Sequence, residues 1–292
     1  MGSRLRYGII ANPASGTLPR NRRHALLKGA AAILRAGIHG LDTASASELV
    51  QCAREQSERC DVLVVAGGDG TMSAVINAVD PAAAVLAFLP FGTGNALTHA
   101  LHYRGGPLEI ASRIRRGRVH TCDLIDCDGR KKSFMASLGV DGTAIQLYEG
   151  YRSRGCRGLA AHLRAGRRAL FGEYRPAGAR IDIDGDIRQV RRLMSLMVVK
   201  QPFFGMGLKA VPRARWDDAR LHSVAIAAGL PRVLAGLATG FTVGNQVGEY
   251  RCGERLVVQL SAPLTIQVDG ELGWTSDRFA FAVMPGALKL KY

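Results

Sequence analysis

The sequence predicts an α/β fold followed by a mainly β region, and three observations carry that reading. From the start to about residue 120, short apolar runs alternate with helix-patterned stretches, the order of a parallel sheet covered by helices. Beyond that point strands are separated by Asp-Gly pairs at Asp128-Gly129, Asp141-Gly142, Asp184-Gly185 and Asp269-Gly270, the strongest short hairpin signal. A length of 292 residues with 47% hydrophobic content is comfortable for two domains with real cores.

Leu5–Ala11 reads as the first strand, with helices around Asn21–Gly37 and Ser47–Arg59. Asp61–Ala66 is a continuous apolar run stopped by Gly67-Gly68, as expected for a strand covered on both faces. Met72, Val75, Ile76 and Val79 then fall at i, i+3, i+4 and i+7, one face of a helix packing back on that strand. Ala84–Leu89 is a third strand, with a helix from Ala96. In the β region one insert, Gly150–Gly178, carries Arg152, Arg154, Arg157, Arg164, Arg167, Arg168 and Arg175 against the single acid Glu173, and its Leu159, Leu163 and Leu170 predict an amphipathic helix. The insert reads either as a solvated helical face or as a helix lying on anionic headgroups.

Charge is the strongest compositional signal: 39 Lys and Arg against 24 Asp and Glu give a net charge of +15. Such a surface attracts polyanions, whether nucleic acid, anionic lipid headgroups or nucleotide phosphates. No specific nucleic-acid motif accompanies the charge. The six cysteines form no CxxC pair and the seven histidines no ligand or triad spacing, so a zinc site is not expected and the thiols read as reduced and intracellular. The N-terminal MGSRLRYGIIANP fits neither a signal peptide nor a membrane span. The expectation is a cytoplasmic protein that meets a membrane only at its inner face.

The loops after the three N-terminal strands carry the chemistry, because parallel strands end at one edge of a sheet and ligands bind there. They are Asn12-Pro13-Ala14-Ser15-Gly16-Thr17, Gly67-Gly68-Asp69-Gly70-Thr71 and Pro90-Phe91-Gly92-Thr93-Gly94-Asn95. Each combines glycine, which admits a ligand close to backbone amides, with Ser, Thr or Asn donors. Two open directly into helices, whose N-terminal amides favour an anion. The signature of a P-loop is absent. Asp69 is the most telling residue, since a carboxylate beside such amides repels phosphate unless Mg²⁺ lies between them. The alternative is that Asp69 or Thr71 caps the helix beginning near Met72.

These motifs, continued by SLGVDG at Ser137–Gly142, FFGMGLKAVPRARWDD at Phe203–Asp218 and VDGEL at Val268–Leu272, resemble the diacylglycerol kinase catalytic-domain family, which includes sphingosine and ceramide kinases. GGDGT alone also fits NAD kinases and phosphofructokinase-like enzymes; LPFGTGN and the downstream DGE favour a lipid kinase. The resemblance implies a phosphofructokinase-like three-layer α/β nucleotide domain over 1–120, to which 287–292 return, and a β-sandwich lipid-substrate domain over 121–286. It implies ATP and Mg²⁺ as cofactors and a membrane lipid as substrate: diacylglycerol-like, phosphatidylglycerol or sphingoid. A homodimer is compatible with it.

Carried over residue by residue, the resemblance implies ATP contacts at Asn12, Ser15, Gly16, Gly68, Asp69, Gly70, Thr71 and Thr93, with Thr43 in the TASASELV stretch as a further one. It implies catalytic roles for Glu271, as general base, and for Asp69, metal binding by Asp69, and a structural magnesium at Asp218. Locally, Asp269-Gly270 is also an ordinary hairpin turn. The sequence departs from the family where Asp217-Asp218 is followed by Ala219 in place of glycine, and where Phe134 stands near a usual Asn. The competing functions are a kinase of a soluble metabolite such as NAD and a noncatalytic basic nucleic-acid-binding protein.

Overall fold

A computed structural model describes residues 5–156 and 158–292; Arg157 of the arginine-rich insert lies outside the described residues. The chain divides into two units, Met1–Cys122 with Gly286–Tyr292, and Asp123–Pro285.

The first unit runs β1 (Tyr7–Ala11), α1 (Arg20–Leu34), β2 (Gly37–His39), α2 (Ala46–Arg59), β3 (Val62–Gly67), α3 (Asp69–Ala78), β4 (Val85–Pro90), α4 (Ala96–Ala100) and α5 (Pro107–Arg116). Its strands pair in parallel: Ile9 lies beside Ile38 and Val64, and Leu63 beside Leu86. The whole of β3 is buried, which is why its sequence is continuously apolar instead of alternating. Met72, Val75 and Ile76 of α3 are fully buried behind it, each worth roughly 1.5–3 kcal/mol relative to exposure. Ser45 caps α2 by accepting the Glu48 N–H, and Glu48 returns to the Ala44 N–H, so the helix start follows from local side chains. β5 (Val119–Cys127) leads into the second unit.

The second unit continues with β6 (Lys131–Ser133), β7 (Met135–Gly139), α6 (Val140–Arg152), α7 (Leu159–Arg168), a π-helical turn at Ala169–Glu173, β8 (Ala177–Ile183), β9 (Asp186–Leu193) and β10 (Ser195–Val199). Then come β11 (Phe203–Phe204), β12 (Leu208–Lys209), β13 (Leu221–Ile226), α8 (Leu230–Gly240), β14 (Glu249–Gly253), β15 (Arg255–Val268) and β16 (Glu271–Lys291). One antiparallel layer is β14-β13-β10-β7, closed by Ile266–Val268 of β15. The earlier half of β15, Leu256–Leu260, pairs instead with β8, which pairs with β9. The irregularity between Gln259 and Leu264 lets one strand serve both layers, as bulges do at sandwich corners. Ile125, Leu138, Ile181, Leu196, Val258 and Phe279 lie in the core of this β-sandwich.

The end of β16 belongs to the first unit, where Lys289 and Leu290 pair in parallel with Val85 and Leu86 of β4. Leu288 and Leu290 are fully buried there.

Two expectations are corrected. Asp141-Gly142 is not a hairpin turn. Gly139 takes φ +100° and turns the chain from β7 into α6, placing Asp141 in the first helical turn. By contrast Asp128-Gly129, Asp184-Gly185 and Asp269-Gly270 all have positive φ at both residues, the geometry of a type I′ turn. The arginine-rich insert is not one helix with a leucine face. Among the described side chains, which do not include that of Leu159, the buried stripe of α7 and the π turn is Ala161, Ala165 and Ala169; Ala161 and Ala165 pack with Leu147, Tyr148 and Tyr151 of α6, and Leu163 is left 63% exposed.

Candidate functional site

In the first unit the ends of β1, β3 and β4 bring their loops together through backbone bonds. The Asn12 N–H donates to the Ala66 carbonyl at 3.0 Å, and the Phe91 and Gly92 amides both donate to the Gly67 carbonyl, at 2.8 and 3.1 Å. The approach is too close for side chains. A Cβ on Gly16, whose φ is +72°, meets the Phe91 carbonyl oxygen at 2.0 Å, and one on Gly92 meets the Gly68 Cα at 2.5 Å. Glycine is required here by space and, at Gly16, also by backbone sign.

Side chains complete the cradle. Asn12 Nδ2 donates to Thr71 Oγ1 at 2.9 Å, Ser15 Oγ lies 3.1 Å from the same oxygen, and Asn12 Oδ1 accepts from the Ala14 amide. Asn12, Ser15 and Thr71 are therefore one network. Gly68 is the N-cap of α3 and Asp69-Gly70 its first turn. Thr93 is exposed on the third loop. Thr43 is placed apart from this network: its hydroxyl donates to the Gly40 carbonyl within its own loop. A cavity of about 730 Å³ opens beside the first loop, lined by Pro13, Arg20, Arg23, His24 and His39 among others. Arg23 also donates to the Ser15 carbonyl at 2.9 Å. Sequence reasoning overlooked Arg20 and Arg23, whose only signal was their place one helical turn after the first loop.

Asp69 does something the sequence did not show. Its two oxygens accept the Ala96 N–H at 2.7 Å and the Leu97 N–H at 3.1 Å, so it caps α4 and not the helix it begins. Burial pushes its carboxyl above the usual range, opposed by those two amides. The repulsion that singled Asp69 out for a metal is thus partly relieved by the α4 N terminus. The residues still fit a nucleotide-borne magnesium, which takes one or two carboxylates and draws its other ligands from water and phosphate. Among the described residues no cluster of three or more His, Cys, Asp or Glu forms a protein-only metal cage.

The second unit carries Glu271 and Asp218. Asp269 and Gly270 form the tight turn between β15 and β16, and Val268 pairs with Glu271 across it. Asp269 Oδ1 accepts from the Phe134 and Met135 amides at 3.0 and 3.1 Å, anchoring the turn to β7. The hairpin reading and a functional Glu271 are therefore the same structure: the turn presents Glu271, its side chain 50% exposed and 3.2 Å from Lys131 Nζ. Phe134, near the place of the family's Asn, contributes only its backbone here. Asp218 has different partners, Lys200 and His222.

A second cavity, of about 390 Å³, lies within this unit and is lined by Ala144, Met197, Phe204, Ile226, Val233 and Leu234 among others, with Asp141 and Ser195 in its wall. The Ser195 hydroxyl donates to Asp141 Oδ2. Burial pushes the Asp141 carboxyl up, against the pull of Ser195 and Ser137. Phe204 borders this cavity. Asp141 went unassigned because its Asp-Gly pair reads locally as a turn.

Residues 6–127 match the model of the diacylglycerol kinase catalytic domain, and residues 135–292 match that of the YegS C-terminal NAD kinase beta sandwich-like domain. The chain belongs to the diacylglycerol kinase catalytic-domain family. A diacylglycerol kinase of Staphylococcus saprophyticus is 27% identical over 285 residues, covering 92% of this chain and 90% of its own. The crystal structure of a diacylglycerol kinase from Bacillus anthracis superposes with TM-score 0.79 at 16% identity, over 100% of this chain and 98% of that one. An NAD kinase from Archaeoglobus fulgidus in complex with ATP superposes with TM-score 0.51 at 12% identity, over 99% and 94%. Both likenesses show the shared fold. Family membership makes this chain a kinase-family phosphotransferase, a class that uses ATP with a metal ion. Among the described residues no helix is long and apolar enough to cross a membrane.

Proposed function

We propose that this chain is a lipid kinase that transfers the γ-phosphate of ATP to a hydroxyl of a diacylglycerol-like, phosphatidylglycerol or sphingoid lipid. The observation that carries the reading is the cavity of the second unit, of about 390 Å³: its wall is largely apolar, with Asp141 and Ser195 bonded to each other in it and His162, Arg167 and Asn245 as its other polar residues. Such a wall suits acyl chains, and its few polar groups suit a hydroxyl-bearing headgroup; a dinucleotide would set most of its polar surface against hydrocarbon.

In this reading the loop amides of the first unit, with Asn12, Ser15, Thr71 and Thr93, hold the ATP phosphates, and Arg20 and Arg23 add positive charge beside them. Mg²⁺, held by Asp69 with water and phosphate oxygens, would neutralise phosphate charge. Glu271 accepts the proton of the lipid hydroxyl as its oxygen bonds to the γ-phosphorus and the bond to ADP breaks. Lys131 orients that carboxylate.

The insert gives the same reading a membrane face. Leu163 and Phe171 are 63% and 60% exposed, and Arg164, Arg167 and Arg168 line a groove with Tyr151 and Phe171. Apolar tips rimmed by guanidinium groups suit the anionic inner face of a membrane, approached from the cytoplasm.

The test is transfer of labelled γ-phosphate from Mg-ATP to a panel of vesicle-presented lipids, with Glu271→Gln and Asp69→Ala as controls. Labelling of a lipid, lost in both variants, is expected. Turnover with NAD or another soluble acceptor, and none with any lipid, overturns the reading.

A further inference from the structure

The resemblance places a structural magnesium at Asp218, and the residues around it do not fit one. Lys200 is 0% exposed. Its Nζ lies 2.8 Å from Asp218 Oδ1, 2.9 Å from Asp123 Oδ2 and 2.6 Å from the Arg220 carbonyl. An ammonium has three N–H donors and no acceptor, and here three oxygens receive them. Magnesium binds oxygen at about 2.0–2.1 Å in an octahedron, so it could reach Asp218 Oδ1 and the Arg220 carbonyl only by displacing the buried Nζ.

The surroundings are built around that charge. The Ala219 N–H donates to Asp123 Oδ2 at 2.7 Å, and the Asp123 N–H donates to the Trp216 carbonyl at 2.6 Å. His222 Nε2 lies 3.0 Å from Asp218 Oδ2, and its Nδ1 is 2.8 Å from the Tyr250 hydroxyl. Ala219 adopts φ +55°, so the tight turn after Asp218 forms without the family's glycine, at a cost in backbone strain. The turn survives the departure; the place for the metal does not.

We infer that the Lys200 ammonium is a resident cation occupying the position of a structural divalent metal, and that the β-sandwich unit holds its fold without metal. It joins the end of β10 to the turn before β13 and the start of the unit at Asp123, three segments distant in sequence. An organic cation of this kind cannot be lost to chelators, which distinguishes this chain from a protein whose fold depends on bound metal.

The test uses the full chain without nucleotide. Protein treated with EDTA and dialysed into metal-free buffer is assayed for metal by mass spectrometry, and its melting is followed in EDTA and in millimolar MgCl₂. The wild type is expected to carry no stoichiometric divalent metal and to melt at one temperature in both. Lys200→Ala leaves two facing carboxylates, and it is expected to melt lower than wild type and to regain part of that loss in MgCl₂ only. A wild-type protein that melts lower after chelation and recovers with Mg²⁺, or that retains one equivalent of divalent metal, overturns the inference. So does a folded Lys200→Ala that melts no higher in MgCl₂ than in EDTA. If that variant does not fold, the wild-type measurement decides alone.

Discussion

The two units build their candidate sites by opposite means. In the first, the cradle is mostly backbone: parallel strands end side by side, and Gly16 and Gly92 let three loops close to within contact distances that exclude a Cβ. In the second, the chemistry is side-chain: Asp141 meets Ser195 across adjacent elements, and Glu271 is aimed by a turn whose aspartate is tied to β7. A backbone site needs particular local conformations, so its residues cluster in short motifs. A side-chain site needs partners that only antiparallel pairing brings together, so its residues are scattered.

The largest effect that would sharpen this contrast is at Glu271. Glu271→Gln keeps the turn and the shape but removes the base; the turnover should fall by about 10²–10⁴-fold while the affinity for ATP, measured by equilibrium binding, stays near that of the wild type. Retention of most turnover would break the assignment of side-chain chemistry to the second unit. Gly16→Ala should act the other way. A Cβ 2.0 Å from the Phe91 carbonyl at positive φ costs on the order of 1–3 kcal/mol, so nucleotide affinity should fall roughly tenfold or more with lipid binding unchanged. Titration of the variant with a nonhydrolysable ATP analogue reads this directly.

A smaller and two-sided effect is expected at Asp141. Burial raises its carboxyl pKa in the folded state, so the folded protein binds that proton more readily than the unfolded chain. Its contribution to stability is full below the ordinary value of 3.8 and is lost as the pH rises through the folded pKa. Asp141→Asn should therefore melt higher than wild type at pH 8, with the difference shrinking as the pH falls toward 4, while KM for lipid rises. A variant that is stabilised but indifferent to lipid would make Asp141 a packing residue. Charge reversal of Arg164 and Arg168, which line the surface groove and not the lipid cavity, should give the smallest change in chemistry. Each basic residue near an anionic surface is worth about 1 kcal/mol, so binding to anionic vesicles should weaken by more than tenfold in sedimentation assays, with turnover on a detergent-dispersed lipid unchanged.

Much of the fold was legible. The i, i+3, i+4, i+7 pattern at Met72–Val79 marks a helix whose Met72, Val75 and Ile76 are fully buried, and the unbroken apolar run at Asp61–Ala66 marks a strand buried along its whole length. The misread segments share a cause. At Asp141-Gly142 the local pair signals a turn, but Gly139 turns the chain into a helix one step earlier. In α7 leucine signals the core, but Ala161 and Ala165 occupy the contact, against the large side chains of Leu147, Tyr148 and Tyr151 on α6. α8 was not anticipated at all. Its buried positions Val233, Gly236 and Gly240 are mostly glycine, which carries no hydrophobic signal.

What the sequence by itself determined is the α/β class of the first half and the phosphate-loop chemistry at its strand ends, because glycine placement and hydrophobic period act over a few residues. Only the tertiary structure decided what the charged groups do. Asp69 caps a helix that begins beyond the next strand, and Lys200 is met by acids from two distant segments. A buried charge is defined by the partners that neutralise it, and those partners are chosen by the fold, not by neighbours along the chain.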